Sequence, residues 1–459
     1  MRVALVYPDS KLTSAGCMSP LGLLYMATSV RDNHHEVAVF DVDGFQPGLP
    51  ELVNAVADYR PDVVGIPVFT QRYTLQAVRT AAREIRNRLP AARIVLGGPH
   101  PTALPEQTLE WYPETDFVLR GEADHTFCDL LSQLESNTAA PEVPGLCYRT
   151  DGRFVSFPVG KPPQDLDAIP IPDRKLLWEN FRNGVYWRID SKGLADHIMT
   201  SRGCPFDCNF CFKVERGCRF RSPDKVVEEL LYLASLGVKE VHFEDDLFTI
   251  KNARTVEICR KIRDAGLKLH LKVRSRVDTI DPEMLSEMKK SGVRTVVYGF
   301  ESGSQTVLDA MNKKTKVAQN HDAVRMTKKA GLRCYADMFL GFPGETPETI
   351  AETERFLLKA RPSALNMSIL VPFPATRVYD QAKANGTLVG DWEVGAPHPY
   401  VKLPWSEDLT ELFELHKKVV RRYYLHPLVM LSILRDQALH PNPRVWRKGF
   451  RILRELLHI

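Results

Sequence analysis

The sequence predicts an α/β fold: a doubly wound parallel sheet, then a partial (β/α)6 barrel, then a small helical C-terminal region. Three observations carry this. Short apolar runs alternate with amphipathic segments over two separate stretches. A proline-rich interval divides them. The final stretch keeps only a helical period. The expected divisions are residues 1–135, 136–195, 196–385 and 386–459.

In the first stretch, VALVYP (3–8), EVAVFD (36–41), VVGIPV (63–68), IVLGG (94–98) and FVLRGE (117–122) read as strands. SPLGLLYMATSVRD and TLQAVRTAAREIRNRL read as amphipathic helices between them. Such alternation implies parallel pairing, with ligands bound at the carboxyl ends of the strands. Those ends carry Pro8-Asp9-Ser10, Thr70-Gln71, Gly97-Gly98-Pro99-His100 and Gly121-Glu122.

Between 136 and 195, proline recurs in PEVPG, FPVGKPP and AIPIPDR, and this reads as a linker.

The second alternation runs through HIMTSRG (197–203), EVHFED (240–245), KLHLKVRS (268–275), TVVYGFE (295–301), RCYADMFLG (333–341) and LNMSILVP (365–372). The helical segments DKVVEELLYLASLG and ARTVEICRKIRDAG each close on a glycine suited to a C-cap. Six units make a partial barrel, whose chemistry belongs at the C-terminal ends of its strands.

In the last part, ELHKKVVRRYYLHPLVMLSILRD and RVWRKGFRILRELLHI are basic amphipathic segments. They read as helices that pack over the barrel or, more sharply, as a contact with a membrane surface or a greasy substrate.

Composition narrows the class. The chain has 459 residues, 44% hydrophobic and 26% charged, with a formal net charge of +4. These are values of a globular protein without the concentrated basic patch of a nucleic-acid binder. No stretch is apolar for the roughly 18 residues that span a bilayer. The opening MRVALVYPDS has no small-residue cleavage site and does not read as a signal peptide. Nine cysteines, three of them within eight residues, suit an intracellular metal site better than a disulfide framework, so a cytoplasmic location is expected.

Those three are Cys204, Cys208 and Cys211, separated by three and then two residues just past a strand. Thiolates are the usual ligands of iron–sulfur clusters. Three of them on a four-iron cluster leave one iron open to chelate the amine and carboxylate of a small molecule. Gly203 and Pro205 permit the tight loop this needs. A zinc site completed by Cys218 is the competing reading.

The pattern C-x-x-x-C-x-Phe-C after the first strand of a partial barrel resembles the radical S-adenosylmethionine superfamily. That resemblance implies a [4Fe–4S] cluster on the three cysteines. It also implies S-adenosylmethionine contacts at successive strand ends, with Phe210 in the cluster loop and Glu244, Asp245 and Asp246 for the methionine ammonium. Arg276 would take the carboxylate, with a salt bridge to the 244–246 acids as the alternative. Glu301 and Ser302, in Gly299-Phe300-Glu301-Ser302-Gly303, would meet the ribose; Gly341, in the stretch Leu340 to Thr346, would lie beside the adenine. Val371 to Thr376 is similar to the sixth-strand stretch, with Ala375 where the family often has glycine.

The first sheet lacks G-x-G-x-x-G after its first strand, which argues against a dinucleotide site. It looks like the cobalamin-binding module joined to many radical enzymes. The resemblance assigns Gly22, Thr70, Gly97, Gly98, Gly121 and Glu122 to that cofactor. Better-known modules carry D-x-H-x-x-G, whereas this chain reads Asp9-Ser10-Lys11-Leu12-Thr13-Ser14, so no histidine of this loop ligates cobalt. His100 reads as a hydrogen-bonded loop residue, with reach to the cofactor as the alternative.

The family implied is that of the class B radical methyltransferases and the anaerobic magnesium-protoporphyrin ester cyclases. The activity expected is methylation of an unactivated carbon of a small-molecule or lipid-like substrate, with an electron donor such as flavodoxin or ferredoxin. A cobalamin-dependent cyclase or rearrangement enzyme is the first rival, a zinc-stabilised scaffold the second. No single catalytic side chain can be named.

Overall fold

The computed structural model describes residues 1–9, 16–45, 48–69, 72–138, 140–188, 193–213, 217–394, 396, 398–406, 408–439 and 443. The chain divides into two compact units. One comprises Met1–Thr13, Cys17–Tyr186 and Gly390–His398; the other comprises Ser14–Gly16, Trp187–Val389 and Pro399–Ile459.

The first unit is built on a seven-stranded sheet. Its strands are β1 (Arg2–Tyr7), β2 (Glu36–Asp41), β3 (Val63–Pro67), β4 (Arg93–Gly97), β5 (Phe117–Leu119), β6 (Leu146–Thr150) and β7 (Arg153–Ser156). Their order is β2-β1-β3-β4-β5-β6-β7. The first five run parallel, with Val3 beside both Val37 and Val63, and Val95 beside Phe117. The order reverses between β1 and β3, the place where doubly wound sheets take ligands. Helices α1 (Leu21–Asp32), α2 (Leu49–Tyr59), α3 (Arg72–Arg88), α4 (Pro99–Ala103), α5 (Pro105–Trp111) and α6 (Thr126–Glu135) make the crossovers. Val3, Leu5, Val63, Val64, Ile94 and Leu96 are fully or almost fully buried, as strands covered on both faces require.

One expectation changes here. The 136–195 stretch is not simply a linker, because β6 and β7 extend the sheet antiparallel, Phe117 facing Tyr148. The hairpin pairs what would otherwise be the open edge of β5.

The second unit is an open six-stranded parallel sheet, β8 (Ala195–Ile198), β11 (Glu240–Phe243), β12 (His270–Ser275), β13 (Val293–Glu301), β14 (Arg333–Leu340) and β15 (Ala364–Ile369), in that order. It is covered by α7 (Pro223–Ser235), α8 (Asn252–Asp264), α9 (Pro282–Lys290), α10 (Gln305–Ala310), α11 (Val317–Lys329), α12 (Pro347–Ala360) and α13 (Arg377–Ala384). Ser222, Asp281, Thr346 and Thr376 cap α7, α9, α12 and α13 through side-chain oxygens. The expected strand 197–203 is two pieces. β8 stops at Ile198, and β9 (Ser201–Arg202) turns away to pair antiparallel with β10 (Arg219–Phe220). The three-cysteine segment lies between those two short strands.

The C-terminal helices break at Pro427 into α14 (Thr410–Tyr424) and α15 (Pro427–Leu439). The apolar face of α14 packs on the second unit through Leu412, Val419 and Tyr423, and Tyr423 Oη donates to the Pro362 carbonyl at 2.6 Å. Packing over the sheet is therefore what α14 does; a membrane contact finds no support. Among the described residues no helix is long and apolar enough to cross a membrane. Residues 444–459 lie outside the described residues.

Candidate functional site

The β9–β10 ribbon clamps both ends of the cysteine segment. Gly203 has φ +85°, and a Cβ there would lie 2.6 Å from the Gly217 carbonyl oxygen, so only glycine permits the approach. The segment is then pinned to the chain after α10. Asn209 N donates to the Met311 carbonyl (3.0 Å), Asn209 Nδ2 to the Ala310 carbonyl (2.9 Å), and Asn312 Nδ2 to the Asp207 carbonyl (2.6 Å). The start of α13 adds Arg377 Nη2 on Asp207 Oδ2 at 2.5 Å and the Val378 amide on the Asn209 carbonyl at 3.1 Å.

Within this frame Cys208 is buried, Cys204 half-buried and Cys211 exposed. A hydrogen bond from Cys211 draws the Cys208 thiol down to about 6, and the positive charges of Lys313 and Arg276 add to the effect against the opposing cost of burial. Cys211, the donor, is pushed up by the same contact; Cys204 is raised by burial, and Cys218 by burial to about 11. Among the described residues no three His, Cys, Asp or Glu side chains converge as ligands of a single ion. A cubane of four irons makes no such demand, because its thiolates ring it instead of meeting at one point.

The acids at 244–246 separate by role. Asp245 is fully buried and accepts from Thr200 N and Thr200 Oγ1, both at 2.5 Å, and from Ser201 N at 2.9 Å. It braces the β8–β9 corner, which corrects its expected place at a ligand ammonium. Asp246 accepts from the Gly203 amide. Glu244, half-buried, takes Arg274 Nε at 3.3 Å, and the same guanidinium reaches Asp337 at 3.4 Å. Burial pushes the Glu244 carboxyl up, and Arg274, His197 and His242 together outweigh it, leaving it below its usual range. Each of the three carboxylates thus has partners of its own.

Arg276 departs from both expected roles. It is 3% exposed and forks onto Asp278, Nε to Oδ1 and Nη2 to Oδ2, each at 2.9 Å. Nη2 also donates to the Lys313 carbonyl at 2.8 Å, Nη1 points to Cys208 Sγ at 3.8 Å, and the guanidinium stacks 3.6 Å from the Phe206 ring centroid. The more exposed cation at this strand end is Arg274.

Glu301 stands in left-handed backbone at φ +61°, an uncommon conformation for a residue with a side chain, and is ion-paired with the buried Lys313 at 2.7 Å. Lys313 gave no sequence signal, because its value depends on Glu301, twelve residues earlier, meeting it across a turn. Ser302 is fully buried, its hydroxyl 3.1 Å from Thr353 Oγ1, so it joins α12 to the strand end and does not face a ligand. Gly341 has φ +91°, and its amide donates to the buried Glu345 Oε2 at 2.5 Å. Burial pushes the Glu345 carboxyl up to about 7. Phe210 packs edge-on against Phe339, centroids 4.9 Å apart.

In the first unit, Gly97 ends β4, and Gly98 follows at φ +99°, where a Cβ would sit 3.0 Å from the Val68 carbonyl oxygen. Strained backbone and this close approach thus require glycine at 98, whatever lies beyond. Thr102, which the sequence did not single out, joins two expected corners: its hydroxyl donates to the Gly98 carbonyl (2.7 Å) and accepts from the Gly121 amide (3.0 Å). Gly121 has φ +81°, and Glu122 is half-buried beside it. Gly22 is exposed on α1 with open space at its Cβ position. Thr70 and residues 10–15 lie outside the described residues. His100 is not hydrogen-bonded as expected. It is fully buried, neither ring nitrogen has a partner among the described residues, its ring lies 5.7 Å from that of Trp111, and burial lowers it to about 4.

Comparison with known proteins identifies two families along the chain. The profile of the radical SAM superfamily matches residues 198–357, and that of the B12 binding domain matches residues 10–131. An "uncharacterized methyltransferase" of Pyrococcus horikoshii is 32% identical, over 94% of this chain and 94% of its own. The anaerobic magnesium-protoporphyrin IX monomethyl ester cyclase of Cereibacter sphaeroides is 29% identical, over 93% of this chain and 70% of its own. In fold, the chain is similar to the radical S-adenosylmethionine methyltransferase TsrM from Kitasatospora setae, whose structure has tryptophan substrate and the SAM analog aza-SAM bound. The TM-score is 0.74 at 20% identity, covering 90% of this chain and 88% of that one.

Proposed function

From the premise that this chain belongs to the radical SAM superfamily, in the branch that also carries a B12-binding domain, we propose that it methylates an unactivated carbon of a small-molecule or lipid-like substrate. The observation that carries the reading is the pairing, in one chain, of a clamped three-cysteine loop at a parallel strand end with a separate B12-binding unit. When bound, the cluster supplies the electron that cleaves S-adenosylmethionine to a 5′-deoxyadenosyl radical, and cobalamin supplies a methyl-carrying cobalt.

The chain's own residues fit these groups. Cys204, Cys208 and Cys211 hold the cluster, and the cations around Cys208 favour its thiolate. Glu244 and Asp246 take the methionine ammonium, Glu301 the ribose hydroxyls, and Phe210 and Gly341 line the cosubstrate. Lys313 orients Glu301 through their 2.7 Å pair. In the other unit Gly22, Gly97, Gly98, Gly121 and Glu122 cradle cobalamin. The two glycine corners tied by Thr102 provide backbone that a cofactor can approach closely. The electron comes from a flavodoxin- or ferredoxin-class protein.

The test is anaerobic incubation of reconstituted protein with S-adenosylmethionine carrying a deuterated methyl group and a metabolite extract. A product heavier than its precursor by one labelled methyl group is expected. The similarity to the Cereibacter cyclase over 93% of the chain favours a second reading, radical cyclisation. That reaction would give 5′-deoxyadenosine and a product with no label.

A further inference from the structure

The mechanism above leaves Arg276 without a part, although its Nη1 lies 3.8 Å from a cysteine sulfur of the loop. Its surroundings are specific. Asp278 receives it in a two-pronged fork at 2.9 Å and 2.9 Å, the Lys313 carbonyl takes a third bond at 2.8 Å, and the Phe206 ring supports its flat face at 3.6 Å. These contacts leave Nη1 aimed at Cys208 Sγ, 3.8 Å away, in a position only 3% exposed. A guanidinium stays protonated at every relevant pH, so the charge at the sulfur is permanent. Burial spares it the screening that weakens exposed charges.

We infer that Arg276 is a tuning residue: it donates a charge-assisted N–H···S hydrogen bond to the Cys208 thiolate and raises the reduction potential of the cluster held there. The inference rests on the cluster assignment made above. The sign follows from charge. One-electron reduction adds one negative charge to the cluster, and a fixed cation beside a ligating sulfur stabilises the more negative state. The electron becomes easier to load and correspondingly less forceful when delivered. Asp278 keeps the cation in register and, as a compensating anion, limits its effect. Arg377 offers a comparison, because it ties the same loop through Asp207 at 2.5 Å and, among the described residues, makes no hydrogen bond to a sulfur.

The experiment is an electron paramagnetic resonance titration of full-length protein, reconstituted anaerobically with iron and sulfide and reduced stepwise with titanium(III) citrate. Wild type, Arg276→Met, Arg276→Gln and Arg377→Met are compared after iron and sulfide assay. The expected result is a lower midpoint in Arg276→Met, a smaller drop in Arg276→Gln, and no shift in Arg377→Met. A midpoint in loaded Arg276→Met equal to that of wild type overturns the inference. Should the Met variant bind no iron, the Gln variant decides by the same criterion. Loss of the cluster from both, with Arg377→Met still loaded, would make Arg276 a structural clasp only and overturn the tuning role. Wild type that loads no four-iron cluster overturns the cluster assignment itself, a different outcome from a loaded cluster with an unmoved midpoint.

Discussion

The three adjacent carboxylates at 244–246 do not share one job, and the difference is measurable. Asp245→Ala removes an acceptor of three buried bonds and should destabilise the protein by about 3 kcal/mol in urea unfolding. Glu244→Gln should leave stability nearly unchanged and weaken S-adenosylmethionine binding in calorimetry. Single Ala replacements at Cys204, Cys208 or Cys211 should abolish brown colour and bound iron; Cys218→Ala should keep both. His100 adds a pH dependence. Its folded-state value near 4 lies below the ordinary 6.5, so both states are neutral above 6.5. As pH falls below 6.5 only the unfolded chain gains the proton. Stability should then drop by roughly 1 kcal/mol per pH unit until pH approaches 4. Unfolding of the cofactor-free protein at pH 7 and pH 5 checks this, and His100→Phe should flatten the slope. The cysteine spacing and the acidic triplet were readable because they are contiguous. The commitment of Arg276 was legible only in part: Asp278 lies two residues on, whereas Cys208 and the Lys313 carbonyl meet it only in the folded chain.

The regular strands of both sheets could be read from apolar runs, since parallel strands buried on both faces are continuous hydrophobic segments. The β9–β10 ribbon could not, as two-residue strands have no period to detect. The β6–β7 hairpin was masked by the prolines on both sides of it. Yet the ribbon decides the cysteine loop. Gly203→Ala should give soluble protein with little bound iron, because a methyl group would meet the Gly217 carbonyl at 2.6 Å. In the other unit, Gly98 is a poor probe of the cofactor path, since any side chain there strains the corner by itself. Thr102→Val is the cleaner substitution. It removes both links between the glycine corners and should lower cobalamin retention after gel filtration, read from the visible absorbance of the complex.

Family membership accounts for the order of the two units, and their boundaries follow packing more than composition. Unit 1 extends to Tyr186 and regains Gly390–His398 from late in the chain, which no local pattern announces. A fragment cut at 135 would strip β6 and β7 from β5 and leave a bare parallel edge. It should aggregate in size-exclusion chromatography, whereas a fragment ending at 186 should stay dispersed for longer at the same concentration.

The clamp on the cysteine loop also has a timetable. Asp207 and Asn209 are held by residues 310–312 and 377–378, so the thiols are synthesised well before the partners that fix them. At roughly 5–20 residues per second, the 170-residue separation between Asp207 and Arg377 leaves a lag of roughly ten to thirty seconds on the ribosome. During that interval three thiols sit on a loop whose clamp is incomplete, open to oxidation or to capture by stray zinc. Iron delivery that waits for chain completion meets a finished cradle; delivery before it meets a flexible string of thiols with no selectivity for a cubane.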